Sequence, residues 1–381
     1  MNEPKTFQNA PKSRPTLPIR RLLVVMPSWV GDAVMATPSL RVLRELLPGA
    51  FIAGLMRPGI DDLLRGTSFF DEIHVARSAG VMGPKRVASQ LRPRQYDTAL
   101  LLTGSFSTAL ITRIAGIPRR VGYDRDGRGL LLTDGLQPLR RRDVEPYSRS
   151  STDPSGWAPV AACDYYYALT RYLLASHNLR AYSMGPLELA TGSADERAAD
   201  ALLERAGVAP GDRQRMILLN PGGNKDEKRW PVERFAALAD HLIVHHRATI
   251  LINGSPKEAE LVRSIMERIE HRDRVVSLPE LGMDLSLLKT LVKRCKLMVT
   301  NDTGPRHIAA AFGVPVVTLF GPTDHRWTTI PFEDEVELLA DPSLPEEEVS
   351  NDHPERCRIE RISLEDVVAA ASKLLSGVGA N

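Results

Sequence analysis

Five segments place carboxylates, amides, hydroxyls and glycines where a short apolar run stops. They are Pro27-Ser28-Trp29-Val30-Gly31-Asp32, Asn220-Pro221-Gly222-Gly223-Asn224, Asn253 to Glu258, Asn301-Asp302-Thr303-Gly304 and Phe320-Gly321-Pro322-Thr323-Asp324. In a parallel sheet, ligands bind beyond the carboxyl ends of strands, so these are the places where chemistry is expected. Three of the segments open helices with Gly, Ser, Thr, Asn or Asp, which leaves backbone N–H groups and a positive dipole end suited to a phosphate. Four of the five lie in the second half of the chain, which is therefore expected to hold a phosphate-bearing ligand. Neither G-x-G-x-x-G nor G-x-x-x-x-G-K-[ST] occurs, so a standard dinucleotide fingerprint and a P-loop are both missing.

The elements that must position these residues alternate between strand and helix. Leu22–Met26, Phe51–Met56 and Thr98–Leu102 read as strands, with helical patterns at Lys85–Leu91 and Phe106–Ile114. Arg140–Pro159 breaks the pattern with Arg, Ser, Pro and Asp, and a helix over Ala161–Ala175 follows. Alternation restarts after Gly192 with strands at Met216–Leu219, Thr249–Ile252, Val275–Ser277, Leu297–Thr300 and Pro315–Leu319. Two doubly wound parallel sheets are thus expected. The predicted boundaries are a flexible tail at 1–20, a first Rossmann-like domain at 21–190, a second at 191–360, and a helix at 361–381 that crosses back to the first.

With 381 residues, the chain is long enough for two ordinary domains. Its 43% hydrophobic and 25% charged residues are globular values, and a net charge of +2 is too mild to point to nucleic acid. Cys163, Cys295 and Cys357 are odd in number and widely spaced, which argues against a disulfide framework or zinc site and fits a reducing cytoplasm. No run of apolar residues is long enough to predict a signal peptide or a membrane span.

Ser28-Trp29-Val30-Gly31-Asp32 with Thr37-Pro38, Pro221-Gly222-Gly223 through Lys228-Arg229-Trp230-Pro231, and Asn301-Asp302-Thr303-Gly304 with His307 occur in one order along the chain. In this the sequence resembles the ADP-heptose:lipopolysaccharide heptosyltransferases of glycosyltransferase family 9, of the heptosyltransferase II type. The resemblance implies a GT-B fold: two facing Rossmann-like α/β domains with a cleft between them, acceptor on the first and donor on the second. It implies an inverting, metal-independent transfer of heptose from ADP-heptose to an inner-core sugar, with Asp32 as base. Lys228 would hold the diphosphate, Glu258 the ribose and Asp302 the donor sugar, with Gly222, Gly223, Thr303, Gly304 and His307 also on the donor. Ser28, Trp29, Arg119 and Arg120 are expected on the acceptor side. No cofactor or metal is expected. The expected partners are a nucleotide sugar and a lipid-linked acceptor at the inner face of the inner membrane, with no nucleic acid and no obligate protein partner.

Each residue also has a plainer role to weigh. Asp32 and Asp302 suit helix N-caps, Glu258 a favourable helix dipole, His307 a packed helix face, and Lys228 a solvated charged run. Asp124-Arg125-Asp126 resembles a metal-binding D-x-D, but it precedes Gly127 and Gly129 and follows no evident strand, so a turn is the better reading. Arg119, Arg120 and Arg140–Arg142 form either a solvated surface or a face for an anionic lipid or phosphorylated acceptor. A GT-B-type glycosyltransferase using another nucleotide sugar or envelope acceptor, a sugar-nucleotide epimerase, a noncatalytic nucleotide-sugar-binding module and a dehydrogenase are the other functions weighed. The single mapped base counts against the epimerase, the joint presence of Asp32, Lys228 and Asp302 against the binding module, and the missing dinucleotide fingerprint against the dehydrogenase.

Overall fold

The computed structural model describes residues 18–77, 80–150, 152–153 and 155–377, so most of the expected 1–20 tail lies outside it. The chain divides into two compact units. One runs from the amino end to Glu188 and includes Arg326–Ile330, and the other comprises Leu189–His325 and Pro331–Asn381.

The first unit contains β1 (Arg21–Val25), α1 (Val30–Met35), α2 (Thr37–Leu46), β2 (Phe51–Met56), α3 (Ile60–Leu64) and β3 (Glu72–Val75). It continues with α4 (Gly83–Leu91), β4 (Thr98–Leu101), α5 (Phe106–Ile114), β5 (Arg119–Tyr123), β6 (Asp134–Leu136) and α6 (Ala162–Ala175). Its strands form one parallel sheet in the order β3-β2-β1-β4-β5-β6. Central strands such as Thr98–Leu101 are buried throughout, as continuous apolar runs covered by helices on both faces should be. Leu23, Val25, Ala53 and Leu101 of the sheet pack with Val87 and Leu91 of α4 and Ile111 of α5.

The second unit contains α7 (Ser193–Arg205), β7 (Met216–Asn220), α8 (Val232–His246), β8 (Thr249–Ile252), α9 (Ala259–Met266) and β9 (Val275–Ser277). Then come α10 (Leu285–Lys293), β10 (Leu297–Asn301), α11 (Gly304–Ala311), β11 (Val316–Phe320), β12 (Glu335–Leu339) and α12 (Leu364–Gly377). The sheet order is β12-β11-β10-β7-β8-β9, again parallel. Counted from its own first strand, this is the same order as in the first unit. Each sheet therefore reverses direction once, between β1 and β4 and between β7 and β10, and opens a crevice at that switch point.

Two expectations need correction. The last helix belongs to the second unit, where its Val367, Ala370 and Ala371 stripe packs into the core with α8 and the sheet. The spacing i, i+3, i+4 made the stripe legible, but not its partner. The sequence reading also passed over β3, β5, β6 and β12. Glu72–Val75 alternates Glu and His with apolar residues and Glu335–Leu339 alternates acidic and apolar residues, both at the sheet edges, while β5 opens with two arginines and β6 has three residues, so none is a plain apolar run.

Trp230 anchors the second core. It is 1% exposed, sits edge-on to Phe235 at 5.1 Å between ring centres, and donates its indole N–H to the Ile362 carbonyl at 2.9 Å. Trp230→Ala is expected to destabilise the unit by about 3–5 kcal/mol, the usual cost of removing a buried aromatic ring. A urea titration followed by circular dichroism checks this; an unchanged midpoint would contradict the packing described.

Candidate active site

In the first unit, the chain leaves β1 at Val25 and turns into α1 through Met26–Trp29. Trp29 occupies the N-cap position with extended backbone and no side-chain capping bond, and Asp32 lies in the first turn of the helix. Asp32 is therefore not the cap. Its Oδ1 instead accepts a hydrogen bond of 2.8 Å from the Tyr166 hydroxyl on α6. Burial first, and then the charge of Asp32, hold the Tyr166 phenol well above its ordinary pKa, so it stays protonated and keeps donating. Ser28 is exposed and Trp29 is 70% exposed. Carboxylate and indole thus share one turn beyond the carboxyl end of β1.

Arg119 and Arg120 are not brought to that place. They begin β5, so they lie at the amino end of the sheet, the opposite edge from Asp32. Arg119 donates to Ser176 Oγ at 2.8 Å and pairs with Asp134 at 3.3 Å, while Arg120 donates to the Leu131 carbonyl at 2.7 Å. Both guanidiniums tie the sheet to its surroundings, away from the turn that holds Asp32.

The carboxyl end of β5 has more to offer. Tyr123 ends the strand directly before Asp124, so the D-x-D does follow a strand, contrary to the sequence reading. Asp124 accepts from Gln137 Nε2 at 2.9 Å, and Asp126 adopts a left-handed φ of 53° beside Arg125. A cavity of about 450 Å³ opens here, lined by Asp124, Arg125, Gln137, Arg140, Arg142 and Trp157 among others. The Arg140 guanidinium lies 3.5 Å from the centre of the Trp157 ring and that of Arg125 lies 5.4 Å from it. Behind the wall, fully buried Arg128 donates to the carbonyls of Tyr123 at 2.8 Å and Thr103 at 2.6 Å, and burial brings its pKa down to about 10.

In the second unit, side chains at three neighbouring strand ends interlock. Asn220 at the end of β7 donates to Thr300 Oγ1 at 2.8 Å and Thr303 Oγ1 at 2.7 Å, and accepts from Asn253 Nδ2 at 2.7 Å. Asn301 at the end of β10 donates to the carbonyls of Pro221 at 2.8 Å and Gly222 at 3.1 Å. Thr303 is the N-cap of α11, but its hydroxyl is drawn to Asn220 and makes no capping bond, while Pro305 stands in the first turn. The helix start at Thr303-Gly304 is therefore left to meet an anion with backbone N–H groups.

Gly222 and Gly223 bring the backbone against Glu258. Gly223 N–H donates to Oε1 at 3.0 Å, and Ser255 gives its N–H and hydroxyl to Oε2, both at 2.8 Å. Three donors leave this carboxylate about one acceptor site of its usual four for a ligand hydroxyl. In the charged turn that follows, Lys225 pairs with Glu227 at 3.1 Å and Arg229 with Asp226 at 2.6 Å. Among the described residues, Lys228 is the cation of that run with no ion-pair partner.

Asp302 lies 3.9 Å from the buried Arg306. His307 is 2% exposed and neither ring nitrogen makes a hydrogen bond of good geometry, although the Gly304 and Thr303 backbone lies close. Burial first, then Arg306, lowers its pKa to about 3, so the imidazole is neutral across the physiological range. The packed-helix reading of His307 describes its burial, while its unsatisfied nitrogens remain beside the helix start. Among the described residues, no group of three or more His, Cys, Asp or Glu side chains is arranged to hold a metal, and no helix is long and apolar enough to cross a membrane.

Sequence reasoning missed Tyr166, Arg128 and the Asn220-Asn253-Asn301 lattice. Tyr166 lies 134 residues from Asp32 and carries no local signal. Asparagine recurring at or just beyond the ends of β7, β8 and β10 was the available clue to the lattice.

Two doubly wound parallel sheets, each with polar residues gathered at its switch point, make up the GT-B fold. The sequence matches the family described as glycosyltransferase family 9 (heptosyltransferase) over residues 85–149 and 158–357, well over half its length, and the chain belongs to that family. It is 29% identical over 318 residues to lipopolysaccharide heptosyltransferase 2 of Escherichia coli K12, covering 81% of this chain and 84% of that protein. Among solved structures it is similar to ADP-heptose lps heptosyltransferase II of E. coli, with 24% identity, a TM-score of 0.75 and coverage of 94% of this chain and 100% of that one. A family 9 glycosyl transferase from Veillonella parvula DSM 2008 matches with 23% identity, the same TM-score of 0.75 and coverage of 94% and 97%.

Proposed function

We propose that this enzyme transfers heptose from ADP-heptose to a lipopolysaccharide inner-core sugar, with inversion and without a metal. The observation that carries the reading is the division of labour between the switch points: a carboxylate in the first turn of the helix beyond β1, and beyond β7 and β10 a lysine with no ion-pair partner among the described residues and a helix start with no side-chain capping bond. Displacement at an anomeric carbon needs a base within hydrogen-bond reach of the acceptor hydroxyl, and Asp32, oriented by Tyr166, supplies it. The departing ADP needs positive charge already in place, which Lys228 and the Thr303-Gly304 amides supply. Glu258 offers its remaining lone pair to a ribose hydroxyl, and Asp302 faces the sugar.

The cavity walled by Arg125, Arg140 and Arg142 suits an acidic group of the acceptor, with Asp124 and Gln137 for its hydroxyls. Trp29, Val81, Phe106 and Leu130 are exposed apolar residues that follow β1, β3, β4 and β5. They suit an enzyme working peripherally at a membrane surface on a lipid-linked acceptor.

The test is ADP release from ADP-heptose with a heptose-deficient core acceptor, with and without EDTA. Acceptor-dependent release unaffected by EDTA is expected; release abolished by EDTA and restored by a divalent cation would overturn the metal-independent reading. Gly222→Ala provides a second check, because a Cβ there would lie 2.5 Å from Glu258 Oε1 and displace the carboxylate. ADP binding should weaken about tenfold, the scale of one charge-assisted hydrogen bond. An unchanged Kd by calorimetry would remove Glu258 from the donor site.

A further inference from the structure

Behind Asp302 stands a buried charge cluster to which no role is assigned. Arg306, on α11 four residues after Asp302, is 0% exposed. Its guanidinium meets Glu335 through Nε at 2.6 Å and Nη2 at 2.9 Å, meets Glu337 through Nη2 at 2.9 Å, and lies 5.0 Å from the centre of the Phe320 ring. Thr318 adds a hydroxyl to Glu335 Oε1 at 2.5 Å. On the same guanidinium, Nη1 lies 3.9 Å from Asp302 Oδ1.

The sequence of β12 explains how the acids arrive there. Side chains alternate along a strand, so Glu335 and Glu337 share one face while Val336 and Leu338 share the other. The apolar face packs into the core that contains Val367 and Ala371 of α12, which leaves the acidic face to Arg306. An arginine buried alone would be very costly, and its planar fork suits bidentate carboxylates. One cation is thus shared among three acids, and only one of them, Asp302, stands at the helix start assigned to the donor.

We propose that Arg306 is a positioning residue for Asp302: braced by Glu335 and Glu337, it fixes the carboxylate that receives the donor sugar, and the charge on Glu337 sets how much of the guanidinium Asp302 must share. The inference rests on the reading of Asp302 as the donor-sugar carboxylate. Glu337 is the partner that titrates. Burial first raises its pKa, Arg306 opposes the rise, Glu335 and Asp302 add to it, and the result is about 7. These three are the charged groups that bear on it, since β11 contributes Thr318 and α12 meets the opposite, apolar face of β12.

The sign follows from charge sharing. Below about pH 7 Glu337 is neutral, Arg306 draws Asp302 inward more strongly, and fewer lone pairs are left for sugar hydroxyls. Above it Glu337 is ionised, takes its share of the guanidinium, and Asp302 is released to the ligand. The part of donor affinity due to the sugar should therefore rise as pH rises through neutrality.

Calorimetric Kd values for ADP and for ADP-heptose, measured across that range on the full chain, give this quantity as their ratio. In Glu337→Gln the ratio of ADP to ADP-heptose Kd should carry only the pH dependence of the terminal phosphate of ADP, which titrates at about pH 6. Divided by that of the variant, the wild-type ratio should climb about threefold to tenfold with a midpoint near neutrality, the scale of one charge in a partly solvated site. Arg306→Lys, which keeps the charge and loses the fork, should weaken ADP-heptose about tenfold and leave ADP within about twofold. A wild-type ratio that follows that of Glu337→Gln at every pH, or equal losses for both ligands in folded Arg306→Lys, overturns the inference while leaving the donor reading intact. Failure of the wild type to bind ADP at all overturns both.

Discussion

Asp32→Asn is expected to lower kcat for sugar transfer by about a hundredfold to ten-thousandfold, the range over which a positioned general base acts. The replacement is isosteric, and its amide oxygen still accepts the hydrogen bond that Tyr166 gives to Oδ1 at 2.8 Å, so the turn into α1 keeps its shape. Because Trp29 rather than Asp32 holds the N-cap position, no capping bond is lost. The variant should therefore melt within a degree or two of the wild type and bind ADP with the same Kd. That combination separates the loss of a base from the loss of a fold. A kcat within about threefold of wild type would remove Asp32 from the chemistry. Tyr166→Phe should give a much smaller loss, since it removes an orienting hydrogen bond and leaves the base in place.

Lys228→Ala should produce the second large effect, a fall in kcat of about a hundredfold to a thousandfold, the range seen when one preorganised contact to a developing anion is removed. The neighbouring cations do not substitute for it. Lys225 is paired with Glu227, and Arg229 is held both by Asp226 and by the Gly223 carbonyl at 2.8 Å. Lys228→Arg should recover a substantial part of the activity, because a guanidinium also binds phosphate oxygens. Lys228→Ala should leave the melting temperature unchanged, as the ammonium has no ion-pair partner among the described residues. Steady-state kinetics with varied ADP-heptose would show the loss; activity unchanged at saturating donor would contradict the role.

These effects fall on residues that were legible in the sequence for a physical reason. Fully buried parallel strands are continuous apolar runs, and the turns that end them collect Gly, Asn, Asp and Thr because backbone must approach a ligand there. The runs Leu22–Met26, Met216–Leu219 and Leu297–Thr300 showed both signals and lie within one or two residues of β1, β7 and β10. Edge strands were lost because one face carries charge. In β12, the acids that hid the strand are the ones that hold Arg306. A segment that showed no apolar run holds one side of a buried ion cluster, and its partner on α11 lies about thirty residues earlier.

The same limit explains the acceptor side. Arg119 and Arg120 looked functional as an exposed basic pair, yet their guanidiniums serve the amino end of β5. Arg140 and Arg142 of the Asp124 cavity lay in the stretch that broke the strand–helix pattern, and the Arg140 contact with Trp157 spans 17 positions of sequence. Tyr166 was illegible for a comparable reason: nothing in α6 distinguishes a tyrosine aimed at a carboxylate from its core neighbours Tyr167 and Tyr172.

The most direct test of the account is to incubate the enzyme with ADP-heptose and a heptose-deficient inner-core acceptor, and to read the acceptor by mass spectrometry and its new linkage by NMR, with Asp32→Asn in parallel. The account predicts one heptosyl unit added by the wild type, with the anomeric configuration opposite to that of the donor, and almost none added by the variant. Retained configuration, or an acceptor modified equally by both proteins, would contradict it.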